Sequence, residues 1–248
     1  MLLPFTSLQA QREKSPPEVE IHQLDLEFEV RDGMPVRIDN PFGNIRIREV
    51  PLAADGRLRV TVQTPIGESN PLRIRQDRDS DGLELAVEGV ERSADGRPEG
   101  LLRADFVAAL PDRVELDVTM ERGDFKMHPA TYPVRLRAEH ARVKVLTTGR
   151  ADVEVLSGHV IYQAAGEGRV AGGRIQTSSA PVDVRRADVS QVNYRTLSGA
   201  AVTTDSLAIL RTRKTEGREE HFIGDPDLAT LEIQTDTGPI RLVAEGMR

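Results

Sequence analysis

Leu116-Asp-Val-Thr-Met-Glu-Arg-Gly-Asp-Phe-Lys-Met127 carries the pattern that decides how this chain folds. Leu116 and Val118 are apolar at a step of two, and so are Phe125 and Met127. The step between the two pairs, from Val118 to Phe125, is seven. Steps of two place side chains on one face of a strand. An odd step turns the second pair to the opposite face unless the chain bends or bulges between them. Gly123 stands where that bend must fall, and glycine tolerates it.

Counted from Gly123 as zero, the apolar residues occupy offsets −7, −5, +2 and +4. The same template recurs with Gly43 as zero (Val36, Ile38, Ile45, Ile47), Ala141 (Val134, Leu136, Val143, Val145) and Gly238 (Leu231, Ile233, Ile240, Leu242). Weaker copies surround Gly158 (Ala151, Val153, Val160, Tyr162), Ala180 (Gly173, Ile175, Val182, Val184) and Gly199 (Val192, Tyr194, Ala201, Thr203). Zeros from Gly123 to Gly199 lie 18, 17, 22 and 19 residues apart. At that length two short strands and their corners fill one coil of a β-solenoid, or one hairpin of an antiparallel meander. Hairpin runs rarely hold so regular a repeat. The expected fold is therefore all-β: a β-solenoid, single-stranded and β-helix-like, of strand–turn–strand repeats of about 17–22 residues. Gly199 and Gly238 are 39 residues apart, room for two coils, and the polar run 211–221 is expected to loop out there.

Upstream, 57–63 reads as a strand, 72–75 and 83–87 flank a turn at Asp81-Gly82, and 102–110 alternate up to Pro111. No run shows a 3.6-residue period. No interior stretch rich in Pro, Gly or Ser divides the chain, so 21–248 reads as one repeat domain behind a leader of residues 1–20. Met1-Leu-Leu-Pro-Phe-Thr-Ser-Leu-Gln-Ala10 is similar to the back half of a bacterial signal peptide, although no basic residue precedes its apolar stretch. The expected location is therefore exported (periplasmic, outer-surface or secreted), with the cytoplasm as the alternative.

Three stretches carry a resemblance. Met34-Pro-Val-Arg-Ile-Asp-Asn-Pro-Phe-Gly-Asn-Ile-Arg-Ile47 resembles the opening coil of the bacterial putative-adhesin domain of the DUF4097 type. The strand, proline, strand and Gly-Asp turn of 106–125 resemble it too, and 231–242 is similar to its closing unit. The resemblance covers roughly 28–246. It implies a β-solenoid-like fold and placement at the cell envelope, and it brings no catalytic residues with it. Ala141 and Ala180 depart from its turn glycine.

Composition narrows the functions. With 33 basic and 40 acidic residues the net charge is −7, so there is no overall electrostatic footprint for nucleic acid. Aromatics are 4% and Trp is absent, which disfavours a sugar-stacking cleft. There is no cysteine, so disulfides and thiolate metal sites are out. No stretch reaches the roughly 20 apolar residues of a membrane span.

The motif-like segments each have a plainer explanation. Asp77-Arg-Asp-Ser-Asp-Gly-Leu-Glu-Leu-Ala-Val-Glu88 satisfies a calcium-loop pattern. Leu83, Leu85 and Val87 alternate as a strand, however, which would carry Glu88 about 23 Å from Asp81 instead of curling it onto an ion held by Asp77, Asp79 and Asp81. Gly166-Glu-Gly-Arg-Val-Ala lacks the βαβ context of a dinucleotide fingerprint. His128, His140 and His159 fall at offsets +5, −1 and +1, so they do not stack into a zinc site. Ser157, Ser179, Ser198 and Thr237 repeat at one corner, where a hydroxyl bonds local backbone.

No catalytic, cofactor or metal residue is therefore assigned, and no cofactor is expected. The expected function is a non-catalytic cell-envelope or secreted binding or scaffold module, adhesin-like, whose partner is an unknown protein or envelope polymer and not nucleic acid. A polysaccharide-active enzyme is the first alternative, with Asp183, Arg185, Arg186 and Asp188 as its nearest carboxylate–arginine cluster. A self-assembling scaffold is the second, opposed by charged or polar ends at the N-terminus and 245–248.

Overall fold

The computed structural model describes residues 19–51, 56–65, 73–78, 82–88, 94, 103–112, 114–164, 170–187, 190, 192–205, 207–215 and 217–244. The signal-like segment, Asp79 to Asp81 of the acidic turn, Gly166 to Arg169 of the glycine-rich segment and the 245–248 tail lie outside these. The described chain is all-β: eighteen strands in one mixed sheet, with no helix among the described residues.

Three long strands organise the sheet: β8 (Val114–Met127), β9 (Val134–Leu146) and β10 (Ala151–Gln163). They lie side by side in parallel and each runs through position zero. Their first halves belong to one ladder and their second halves to another. In the first ladder β10 is followed by β11 (Gly173–Thr177), β17 (Thr230–Thr235) and β13 (Asn193–Ser198), all parallel. On its other side β8 is followed by β2 (Met34–Phe42) and β6 (Leu83–Glu88), also parallel. Antiparallel strands close both ends. β5 (Arg73–Arg78) pairs with β6, and the hairpin of β15 (Arg211–Thr215) and β16 (Arg218–Ile223) pairs with β13.

In the second ladder β7 (Arg103–Pro111), β3 (Ile45–Val50), β8, β9, β10, β12 (Val182–Ala187), β18 (Ile240–Ala244) and β14 (Val202–Asp205) are parallel in that order. β4 (Gly56–Pro65) and β1 (Val19–Phe28) extend it antiparallel beyond β7.

The register follows the apolar template. Val36 opposes Leu116, which opposes Val134, then Ala151, Gly173 and Leu231. At +2, Ile45, Phe125, Val143, Val160, Val182 and Ile240 align in the same way. All template positions of the four strongest units are buried and join one apolar cluster. Each fully buried aliphatic side chain contributes about 1.5–3 kcal/mol, so these rows are the main source of stability.

The bend is made in two ways. At Gly43, Gly123 and Gly158 the backbone takes φ of 141°, 139° and 123°, which side chains other than glycine rarely adopt. Later units break the strand and bond the corner with a buried hydroxyl. Thr177 Oγ1 donates to Ala180 O (2.8 Å), Gly238 N donates to Thr235 Oγ1 (2.8 Å), and Ala200 N donates to Ser198 Oγ (2.9 Å). Ala141, which lacks the glycine, is buried between Gly123 and Gly158.

Four expectations need correction. The Gly199 unit is shifted: Tyr194 and Thr196 oppose Leu231 and Ile233, and Val202 and Thr204 oppose Ile240 and Leu242. Ala201 and Thr203, assigned to the core by the template, are exposed. The step between arms there is six residues, one fewer than at the strand breaks around Ala180 and Gly238. Next, 211–221 does not loop out. It forms the β15–β16 hairpin, whose Glu220 and His221 are buried against β13.

Third, the last unit does not end the stack. β17 and β18 lie between β11/β12 and β13/β14. Fourth, an additional unit is hidden upstream: Leu83 and Leu85 oppose Val36 and Ile38, while Phe106 and Ala108 oppose Ile45 and Ile47. Its arms are 21 residues apart in sequence, where the template has seven.

Candidate binding faces

Because the apolar offsets face inward, the residues between them form rows on two outer faces, each row crossing the strands. On the first ladder the −6 row runs Glu84, Arg37, Asp117, Arg135, Asp152, Arg174, Glu232, Arg195, each opposite the next. Acid and base alternate without exception. Arg135 lies 4.0 Å from Asp117, and Arg195 lies 2.8 Å from Glu232. Arg195 also donates to the buried Glu220 carboxylate at 2.6 Å, and its guanidinium stacks over Phe222 at 5.8 Å. The hydrogen bonds that Arg195 donates to Glu220 and Glu232 raise its pKa further, so it is a permanent cation. Opposite charges directly across strands stabilise a sheet by a few tenths of a kcal/mol each, up to about 1.

Beside this row, next to the bend, a groove of about 440 Å³ crosses β2, β8, β9, β10 and β11. Asp39, Glu121, Glu139 and Glu154 line it with Arg137 and the half-exposed Leu156. Four carboxylates against one guanidinium make the groove repel anions.

The second ladder's outer face breaks the pairing rule. Its +3 row runs Asp25, Arg59, Val107, Arg46, Lys126, Lys144, Ile161, Asp183, Arg241. Arg59 is held by Asp25 at 2.7 Å and Arg241 by Asp205 at 2.9 Å. Arg46, Lys126 and Lys144 have no anionic partner within ion-pair distance among the described residues, and they stand directly opposite one another. Arg48, one row on, is likewise exposed with no ion pair among the described residues, and Arg142, one row before, is exposed and stands opposite Asp124. His128 sits among them. Burial, then the charges of Lys126, Lys144, Arg46 and Arg48, push its pKa below the ordinary 6.5.

The remaining sequence candidates stay apart. His140 Nδ1 lies 2.6 Å from Ser157 Oγ on the exposed bend, so Ser157 bonds a side chain where a backbone partner was expected. No carboxylate among the described residues holds the other nitrogen of that ring, so no triad forms. Ser179 Oγ donates to Leu156 O (3.4 Å) and Thr237 Oγ1 to Ser178 O (3.2 Å), as expected of corner hydroxyls. His159 Nε2 bonds Asp183 at 3.0 Å, which ties up one carboxylate of the enzyme alternative's cluster; the other, Asp188, lies outside the described residues. Around the calcium-like pattern, Asp77, Glu84 and Glu88 all pair with Arg75 in the β5–β6 hairpin. Among the described residues no group of three His, Asp or Glu side chains is placed to hold a metal ion. The charge rows were missed in the sequence, although offsets −6 and +3 of the same template spell them out.

No protein-family model matches the chain, and no curated protein matches it. Solved structures do. A "putative cell adhesion protein" from Clostridium sporogenes is 11% identical, with 93% of this chain and 100% of that one covered and a TM-score of 0.43. A "putative adhesin" from Bacteroides fragilis is 9% identical, covering 91% and 98%, with a TM-score of 0.29. Another from Parabacteroides merdae is 6% identical, covering 90% and 96%, with a TM-score of 0.33. Likeness of this degree assigns neither a family nor a role to the chain.

Proposed function

We propose that this protein is a non-catalytic binding or scaffold module of the cell envelope, adhesin-like, built as one β-solenoid domain over residues 21–248. The connections from Met127 to Val134, from Val145 to Ala151 and from Tyr162 to Gly173 each return the chain to the first ladder in register. That return supports reading the two ladders as the two sides of successive coils. The DUF4097-type resemblance rests on the three stretches quoted for it, and export rests on the signal-like start.

The observation that carries the functional reading is the row geometry. Each strand offers one residue to each outer row, so an extended ligand meets many equivalent side chains and no converging nucleophile, base and acid. Contacts of that kind are spread over several strands. Binding is then weakened only modestly by one alanine substitution.

The test is twofold. Purified protein is incubated with glycan, ester and peptide substrates, and a turnover abolished by one substitution in a still-folded protein overturns the non-catalytic reading. Fractionation of the native organism tests placement: retention of the full-length product in the cytosol removes the envelope half of the proposal.

A further inference from the structure

The two outer faces share one architecture but treat charge in opposite ways. On the first ladder every cation of the −6 row faces an anion across the strand. On the second, Arg46, Lys126 and Lys144 face one another, with Arg48 alongside and, one row before, Arg142 opposite Asp124. Like charges directly opposite destabilise a sheet. A chain of net charge −7 has carboxylates to spare, and this face uses them on Arg59 and Arg241 at either side of the cluster. Local rules broken in this manner mark functional positions.

We propose that Arg46, Lys126 and Lys144, supported by Arg48 and Arg142, form a docking site for a linear anionic polysaccharide that lies across β3, β8 and β9. This deepens the binding-module reading and rests on it. The cations recur at the spacing of neighbouring strands, about 4.8 Å. A polymer with one anionic group on each ring-sized unit follows that step. An extended acidic peptide repeats its same-face side chains only every second residue, about 6.8 Å, and falls out of register. The cluster is three strands wide and is bounded on the same row by Val107 and Ile161, then by Arg59 in its pair with Asp25 on one side and by the Asp183 carboxylate on the other. A flat anionic bilayer would press on those carboxylates as well, whereas a thin chain passes between them. Among the described residues of these rows the face also offers no exposed Phe, Tyr or Trp ring for stacking the bases of a single-stranded nucleic acid. On the opposite ladder the carboxylate-lined groove turns the same ligand away.

The probe is a fluorescently labelled polyuronate oligosaccharide, titrated against the full chain by anisotropy at low and at physiological salt. Competitors are neutral dextran, a single-stranded oligonucleotide, a poly-aspartate peptide and vesicles containing acidic phospholipid. The expected result is salt-sensitive binding, weakened roughly tenfold or more by Lys126→Gln with Lys144→Gln and unchanged by Arg213→Gln on β15. Neutral dextran should not compete. The His128 ring gives a local readout: Lys126, Lys144, Arg46 and Arg48 are the charges acting on it, all cationic, so bound polyanion should move its titration upward in NMR. Binding that survives the double substitution, or an unmoved His128, overturns the site. Stronger competition by the oligonucleotide, the peptide or the vesicles overturns the ligand class. Absence of polyuronate binding overturns this proposal but leaves a module that binds through another face. Cleavage of the polyuronate into shorter chains would instead overturn the non-catalytic reading.

Discussion

Gly123 stacks on Gly43 so closely that a side chain on the former would overlap the carbonyl oxygen of the latter. Gly43 stands in the same relation to Ala104, and Gly158 to Ala141. The bend that brings both apolar arms into one core is therefore also where the neighbouring backbone leaves no room for a Cβ. Gly123→Ala should cost at least about 3 kcal/mol, since strain at φ of 139° adds to a backbone clash. Gly33→Ala, at φ of 69° with nothing within 4 Å, should cost only about 1–2 kcal/mol. Urea melts of the two variants check the contrast, and equal costs would show that crowding at the bend is not what selects glycine.

The facing of β17 is tested by a neighbouring pair. Ile233 is 1% exposed between Ile175 and Thr196. Ile233→Asp buries an unpaired charge and should cost at least about 3 kcal/mol. Glu232, one residue away, is 44% exposed and pairs with Arg195, so Glu232→Ala should cost about 0.5 kcal/mol or less. Comparable losses in chemical denaturation would mean that the register of the first ladder is wrong.

Tyr162 offers a stabilising change. It occupies a +4 position, is fully buried, and its hydroxyl has no hydrogen-bond partner. Burial pushes its pKa far up, because the phenolate would lose its hydration there. Tyr162→Phe removes the orphaned hydroxyl and keeps the ring, so stability should rise by about 1 kcal/mol. A fall in the thermal midpoint of this variant would reveal a bond to the hydroxyl.

Acid sensitivity should include a contribution from His128. Its pKa is lowered in the folded protein, so the unfolded chain takes up the proton first. Stability from this residue is complete above the unfolded value of 6.5 and is lost as pH falls below it. Denaturation at pH 7.5 and pH 5 should show a smaller acid-side loss in His128→Gln than in the parent protein. An identical slope in both would place the histidine outside the cationic cluster.

The sequence by itself determined the inward offsets, the bend between them and the register at which most units meet. Those depend on local periodicity: side chains two apart share a face, and an odd step needs a kink, whatever lies next to the strand. Val36, Leu116, Val134 and Leu231 could be read as equivalent without knowing which of them touch.

Only the tertiary structure decided which units are neighbours, and the physical reason is that equivalence. Units with interchangeable apolar offsets can stack in any order, so adjacency is set by the connections and by how each end is closed. Leu231 could thus be inserted between Gly173 and Tyr194, with the β15–β16 hairpin closing the end that the last unit vacated. Leu85 and Phe106 could form two arms of one unit across an interval that no local count would join. The candidate site depends on the same decision. Arg46 and Lys126 are 80 residues apart in sequence, and their like charges face each other only because β3 lies against β8.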